Sequence, residues 1–138
     1  MLKEAMLALR VTDMEYAADI RRLLYAAETD LKAAGVVIQG TCNITITETE
    51  DQETHETTIT VTDNSTITDE WVKTAMITYV RFNFGSPADF DRLAASYDLQ
   101  RRQLANRTGY TDFLDQEPEP EPEPDPEPEQ EPEGGDET

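Results

Sequence analysis

The chain has 138 residues and a formal net charge of −19, from 30 Asp and Glu against 11 Lys and Arg. Residues 115–138 hold 12 of the acids, no bases and seven of the eight prolines, so residues 1–114 carry 18 acids against 11 bases, or −7. These figures predict one small domain with an acidic tail. They exclude a membrane span, because no run of 18 apolar residues exists, and a basic nucleic-acid reader, because Lys and Arg are not clustered.

The start of the chain and its cysteine content predict a protein without a signal peptide, in the reducing cytosol. Glu4, Arg10 and Asp13 interrupt the apolar residues of positions 1–15, which is not the pattern of a signal-peptide core. The single cysteine, Cys42, allows no internal disulfide, which suits a reducing compartment.

Two amphipathic helices are predicted at the beginning of the chain. Apolar residues at i, i+3, i+4 and i+7 form one stripe over residues 2–10. A second helix is predicted to follow a capping box from Thr12 to Glu15 and to end at Ala34, before Gly35. The inward stripe predicted for this second helix consists of Met14, Ala17, Ile20, Leu23, Leu24, Ala27 and Leu31.

Residues 41–68 change to an acidic, threonine-rich pattern. Eleven of these 28 residues are Thr, six are acidic and none is Lys or Arg. β-Branched apolar residues alternate with Thr over Ile44–Ile46 and Ile59–Val61, which predicts strands. We expect a β-hairpin with a polar loop over Glu48–Glu56, or two edge strands. A lone hairpin is marginal in water, so it must pack on the helices or on another subunit.

Two further helices are predicted after this insert. Asp69 can cap the third, which ends at Gly85 and holds more aromatic residues than a single packed face needs. Ser86 as N-cap and Pro87 as the first helical residue predict the start of the fourth, which runs to about Arg107. The residues predicted to face inward are Trp71, Val72, Ala75, Met76, Tyr79, Val80 and Asn83 in the third helix, and Phe90, Leu93, Ala94, Tyr97 and Leu104 in the fourth.

Glu and Pro alternate almost strictly from Glu117 to Pro128. Proline blocks helix and sheet, and like charges repel, so we expect residues 115–138 to be a disordered, extended polyproline-II-like chain that serves mainly as a solubilising spacer. The expected fold class is therefore mainly α: a small four-helix bundle over residues 1–114, with an inserted β-hairpin over 41–68 and a disordered acidic Glu-Pro tail.

No group of residues predicts catalysis or cofactor binding. His55, the only histidine, lies among acids without converging metal ligands. Cys42 has no orienting partner that would make it a nucleophile. We therefore expect a solvated histidine, a buried or half-buried thiol, no cofactor and no enzymatic activity.

Three arginines, Arg101, Arg102 and Arg107, lie in the last turns of the predicted fourth helix. There they complement the helix dipole and can be a solvated face. The functional alternative is contact with phosphates, with an acidic partner or with a neighbouring subunit.

Five segments stand out by their order and spacing. They are Met1–Thr12, Tyr16–Gly35, Ala75–Val80 together with Phe84–Gly85, Ser96–Leu104 and Thr108–Asp112. Together they resemble the head–tail connector family of tailed bacteriophages. The resemblance covers residues 1–37 and 69–113, and the threonine-rich insert and the Glu-Pro tail depart from it.

The resemblance implies a small helical adaptor whose copies form a ring beneath the portal protein at the capsid vertex. By family analogy the ring is a dodecamer that extends the DNA channel and docks the stopper or tail-completion protein. DNA would pass through transiently and without sequence recognition, and no membrane is involved. The implied location is the neck of the virion, assembled in the host cytoplasm.

The segment after the fourth helix is the candidate portal contact, and it consists of Gly109, Tyr110, Thr111, Asp112 and Phe113. It is short, aromatic and hinged by glycine, so it can add to the edge of a partner's sheet or fill a pocket. Tyr110 and Phe113 would be its anchors. The alternative is that it packs back on its own helices.

A rival hypothesis is an acidic interaction protein, such as a DNA-mimic inhibitor of a nucleic-acid enzyme. The net charge favours this function. Against it, most of the charge lies in a tail and a loop, whereas a mimic needs carboxylates fixed at phosphate-like spacing.

Overall fold

The computed structural model describes residues 1–107, which form four α-helices and one β-hairpin. In chain order the elements are α1 (Leu2–Leu9), a 3-10 turn (Met14–Tyr16), α2 (Ala17–Ala33), β1 (Ile44–Glu50), β2 (Thr57–Asp63), α3 (Glu70–Asn83) and α4 (Phe90–Ala105). The described residues thus contain four helices and a two-stranded antiparallel sheet, which agrees in part with the predicted mainly α fold with an inserted hairpin. The predicted tail, and the boundary of the helical domain at residue 114, lie outside the described residues.

Helix α3 is the central element of the helical part. It packs against α1, α2 and α4, and α2 also packs against α1. The largest fully buried side chains come from three helices: Leu2 of α1; Ile20, Leu24 and Leu31 of α2; and Val72, Met76 and Val80 of α3. Full burial of each such side chain contributes about 1.5–3 kcal/mol. The core is therefore concentrated between α2 and α3, and α4 adds Leu93, Tyr97 and Leu104 at its edge.

The predicted capping box at Thr12 is wrong. Asp13 is the N-cap, and its carboxylate accepts a hydrogen bond of 2.9 Å from the Glu15 amide. A charged carboxylate two residues before the amide closes a tight turn, so a 3-10 turn precedes the α-helix. Helix α2 therefore begins at Ala17, after the residues predicted to form the capping box.

The predicted start of α4 at Ser86 and Pro87 is also wrong. The Phe90 amide donates to the Pro87 carbonyl over 3.2 Å, so residues 87–90 form a turn and the helix begins at Phe90. By contrast, the predicted cap of α3 is confirmed. The Asp69 carboxylate accepts hydrogen bonds from the amides of Trp71 at 2.8 Å and Val72 at 3.2 Å.

Four residues predicted to face the core are exposed, namely Met14, Trp71, Asn83 and Phe90. Each lies at or near the end of an element, where the apolar stripe extends beyond the part of the helix that its neighbour covers. The other predicted stripe residues are buried or partly buried.

The threonine-rich insert is an antiparallel hairpin that runs from the pair Ile44–Asp63 to the pair Glu50–Thr57. Its strands are longer than predicted and its loop is shorter, covering residues 51–56. The Asp51 carboxylate explains the short loop, because it accepts from the amides of Glu53 at 2.8 Å and Thr54 at 3.2 Å.

The inner end of the hairpin contacts α2. The Tyr25 hydroxyl donates to the Ile44 carbonyl at 3.1 Å and accepts from the Ile44 amide at 3.0 Å. The buried Glu28 carboxylate accepts from the Cys42 amide at 3.1 Å. Ile44 is buried, whereas residues 47–50 of β1 are exposed. The sequence predicts that the hairpin packs either on the helices or on another subunit, and these contacts show packing on the helices.

Candidate interaction surface

A shallow groove lies where the start of α3 meets the end of α4. We call it the Trp71 groove. Its lining residues are Trp71, Leu99, Arg102, Gln103, Asn106 and Arg107. Trp71 is 58% exposed and Leu99 is 53% exposed. Two large apolar side chains in the open, bordered by cationic groups, are typical of an interaction site.

Helical geometry explains why these apolar residues are exposed. In α3 the buried positions include Val72 and Met76, so Trp71 lies on the shoulder of the buried stripe. In α4, Tyr97 and Leu104 are two turns apart on the buried face. Leu99 lies two residues after Tyr97, about 200° around the helix, and therefore faces away from the core.

Arg107 connects the two helices across the groove. Its guanidinium carbon lies 5.0 Å from the centre of the Trp71 ring, within the range of a cation–π contact. Such a contact at an exposed site contributes about 0.5–1 kcal/mol. It holds a positive charge beside the indole, immediately before the chain continues into residues 108–114.

Arg101 and Arg102 share one carboxylate but face different surroundings. Asp98 accepts from Arg101 at 3.0 Å and also pairs with Arg102. Hydrogen bonds from Arg102 and then Arg101 lower the pKa of Asp98. Arg102 nevertheless keeps 69% of its side chain exposed.

Arg101 belongs to a second cluster that joins α4 to α2. Its guanidinium lies 3.3 Å from Asp30, and the Tyr97 hydroxyl donates to the same carboxylate oxygen at 2.6 Å. Burial and the Asp30 carboxylate raise the pKa of Tyr97 far above its usual range. This cluster fixes the orientation of α4, and with it the position of the groove.

The predicted site residues are therefore divided. Arg102 and Arg107 line the Trp71 groove, whereas Arg101 points to Asp30. The candidate portal segment, from Gly109 to Phe113, lies outside the described residues. Its first residue, Gly109, is two positions after Arg107, which lines this groove.

Cys42 and His55 lie in different surroundings. Cys42 is buried, and burial raises the pKa of its thiol, which keeps it protonated at neutral pH. The His55 side chain is 81% exposed and lies 3.4 Å from Glu50. Within residues 1–107, no group of three His, Cys, Asp or Glu residues could hold a metal ion.

Sequence reasoning missed two features of this surface. Tyr97 and Arg101 are four residues apart on α4, but their shared partner Asp30 lies 67 and 71 residues away along the chain. The exposure of Trp71 had one signal, the surplus of aromatic residues in α3, which indicated that some of them would lie outside the core.

Among the described helices, none is long and apolar enough to cross a membrane. Comparison with protein-family models, with curated proteins and with solved structures gave no match.

Proposed function

We propose that the chain is a structural virion protein: a ring adaptor between the portal and the tail or stopper of a tailed bacteriophage. The observation that carries the proposal is the exposed Trp71 groove at the point where the chain continues into the aromatic segment 109–113. The family resemblance adds support, since its segments in residues 1–107 lie on α1 to α4, whereas the hairpin departs from it.

In this proposal the segment Gly109–Phe113 is the portal contact. Tyr110 and Phe113 anchor it, either along the edge of a portal sheet or in a portal pocket. The Trp71 groove stands beside the base of this segment and provides a second apolar surface for the same partner. Arg102 and Arg107 border that surface and favour an acidic partner or a neighbouring subunit.

The ring itself needs further surfaces, and the described residues offer them. Leu7 is 79% exposed, Phe90 47% and Tyr16 46%. They lie on three different elements, so the apolar surface is spread around the subunit. We propose that subunit contacts bury part of it in a homo-oligomeric ring, a dodecamer by family analogy.

The mechanism is assembly without bond chemistry. The four helices form a bundle that supports the ring, and the Glu-Pro tail is disordered and extended. DNA moves through a channel with little excess positive charge, because strong phosphate contacts would make it adhere. The ring also docks the stopper or tail-completion protein, and the protein resides in the virion neck after assembly in the host cytoplasm.

The deciding experiment removes both anchors of the portal segment. We expect Tyr110→Ala with Phe113→Ala to leave a folded, soluble protein that no longer joins heads. A hot-spot loss of about 2 kcal/mol per site is sufficient, because a ring multiplies it across subunits. The readout is incorporation into heads, with circular dichroism of the free protein as the check on folding.

A matched control changes the neighbouring residues of the same segment. Thr111→Ala with Asp112→Ala truncates two side chains without removing the aromatic anchors, and should preserve incorporation. Unchanged incorporation of the anchor variant would refute the portal role. Its unfolding would instead assign Tyr110 and Phe113 to packing on their own helices.

The acidic-inhibitor alternative has one structural point in its favour. Glu48, Glu50, Asp51, Glu53 and Glu56 are all exposed at the outer end of the hairpin. Gel filtration with negative-stain microscopy separates the two functions. Rings or portal binding support the adaptor, whereas a small species that blocks an enzyme's access to DNA supports the inhibitor.

A further inference from the structure

We propose that the Trp71 groove is the docking site of the chain's own Glu-Pro segment, residues 117–128. The groove combines an apolar wall, Trp71 and Leu99, with a basic border, Arg102 and Arg107. The segment combines the two complementary chemistries, proline rings and carboxylates, in strict alternation. The inference concerns two parts of one chain in the free subunit, and in the assembly proposed above the portal would replace the segment in this groove.

The apolar half of the match is proline against indole. Proline-rich chains in the polyproline-II conformation dock in aromatic-lined grooves, because the extended helix is already formed and loses little entropy on binding. Residues 117–128 contain six prolines, and Trp71 and Leu99 are both more than half exposed.

The charged half of the match is carboxylate against guanidinium. Residues 117–128 contain six acids and no base. Arg102 keeps 69% of its side chain exposed while it is paired with Asp98. Arg107 lies over the Trp71 ring, so a chain that packs on the indole also meets this positive charge.

The short chain between Arg107 and Glu117 allows even a weak contact between the Glu-Pro segment and the groove to form. Arg107 lines the groove and Glu117 follows it by ten residues, a length that spans up to about 35 Å when extended. A short flexible connection of this kind gives an effective concentration in the millimolar range. A contact with a millimolar dissociation constant would therefore be occupied about half of the time.

The fluorescence of Trp71 reports on the groove directly, because it is the only tryptophan in the chain. We would measure acrylamide quenching of the full chain at low salt. We would compare it with a full-length variant that neutralises four carboxylates but keeps every proline. The substitutions are Glu117→Gln, Glu119→Gln, Glu121→Gln and Glu123→Gln.

Neutralising these carboxylates should release the groove and raise the quenching constant roughly twofold, as expected from half occupancy. High salt should produce the same rise in the unmodified chain, since screening at 1 M shortens the Debye length to about 3 Å. The salt effect should be absent in the neutralised variant.

The matched control removes the same number of charges from the hairpin, by Glu48→Gln, Glu50→Gln, Glu53→Gln and Glu56→Gln. It should quench like the unmodified chain. A rise in this control equal to that of the tail variant would assign the effect to net charge and overturn the proposal. So would equal quenching of the tail variant and the unmodified chain.

Two further results identify a different occupant and would also overturn the proposal. A quenching constant that depends on protein concentration would assign the groove to the tail of another copy. A rise in Tyr110→Ala with Phe113→Ala, without one in the tail variant, would assign it to the aromatic segment.

Discussion

At the scale of single residues, the approach to the hairpin is constrained by Gly40. Its φ is +89°, and a Cβ at this position would lie 2.6 Å from the Thr66 carbonyl oxygen. The backbones before and after the hairpin therefore touch at this point, where only glycine fits. Gly35 has nearly the same φ, +86°, but a Cβ there would meet no atom within 4 Å.

This pair of glycines gives a matched test. Gly35→Ala should cost about 1 kcal/mol, because a left-handed φ is unfavourable for a residue with a Cβ. Gly40→Ala should cost about 2 kcal/mol or more, since the backbone must also move away from the new methyl group. Urea denaturation of both variants measures the difference, and equal losses would show that the close approach at Thr66 is not rigid.

Asp63 predicts how stability depends on pH. Its side chain is 23% exposed, and its carboxylate lies 2.8 Å from the Leu2 amide and 3.1 Å from the amino group of Met1. Partial burial opposes ionisation, but hydrogen bonds from Ser65, from Leu2 and from that amino group outweigh it and lower the pKa of Asp63 to about 2. The carboxylate thus favours the folded state in its charged form.

Because the folded pKa lies below the ordinary value of 3.8, this stabilisation is complete above about pH 5 and is lost as the pH falls toward 2. After allowance for solvent screening we expect a contribution of about 1 kcal/mol. Asp63→Asn should lower stability at pH 7 by that amount and flatten the acid side of the stability curve. The exposed Glu53→Gln is the control; a similar flattening in that variant would contradict the assignment to Asp63.

At the scale of elements, the hairpin is held at its inner end rather than along its length. Tyr25 pairs with both backbone groups of Ile44, in the manner of an additional strand residue. Glu28 adds the bond to the Cys42 amide. Beyond this end, β1 and β2 mostly expose threonine and acidic side chains.

Tyr25→Phe should therefore loosen the hairpin and leave the helices intact. Removal of two backbone partners costs about 1–2 kcal/mol. Amide hydrogen exchange should accelerate at Ile44 and its strand neighbours, while the amides of α3 remain protected. Tyr16→Phe, in a ring that packs on Phe84 at 5.7 Å, is the control and should leave exchange in β1 unchanged.

The elements could be predicted from periodicity, but their ends and their docking could not. A helical stripe or a β alternation extends over many residues, so four helices and a hairpin were visible. The start of a helix depends on which single side chain caps it. Here the cap is Asp13 and not Thr12, so the helix begins later than predicted. Long-range partners such as Asp30 with Tyr97, or Tyr25 with Ile44, carry no local pattern at all.

The candidate site was predictable only in part, for the same reason. Arg102 and Arg107 were identified from their place at the end of a helix, and they do lie together in one groove. The apolar side chain of Trp71 and its place near the buried stripe predict a core residue, whereas Trp71 is 58% exposed. Its exposure depends on where α4 stops covering α3, which no local pattern specifies.

At the scale of the whole molecule, charge is divided unevenly. Residues 1–107 carry 17 acids against 11 bases, and the last 24 residues carry 12 acids and no base. If many subunits meet in a ring, tails closer than about 8 Å repel each other at physiological salt. The tail would therefore keep free subunits apart and prevent rings from stacking.

Truncation at Asp115 should leave the melting temperature within error, because alternating Glu and Pro offers little to bury. The shortened protein should self-associate at low salt, as seen by light scattering, since the repulsion is gone and the Trp71 groove is open. An unfolded product, or a monodisperse one that fails to bind the portal, would instead make the tail a structural or docking element.

The central position of α3 has a consequence for synthesis on the ribosome. Helices α1 and α2 bury their apolar faces against an element that is completed only at Asn83, fifty residues after the end of α2. At a synthesis rate of about 5–20 residues per second, roughly 3–10 seconds pass between completion of α2 and completion of α3. During that interval Leu24 and Leu31, which are fully buried in the folded chain, lack the cover of α3, and the hairpin can contact only α1 and α2. Folding of the first half of the chain is thus coupled to translation of the second half. A translational pause before residue 83 would prolong the time during which chaperones bind the exposed apolar faces or the chain aggregates.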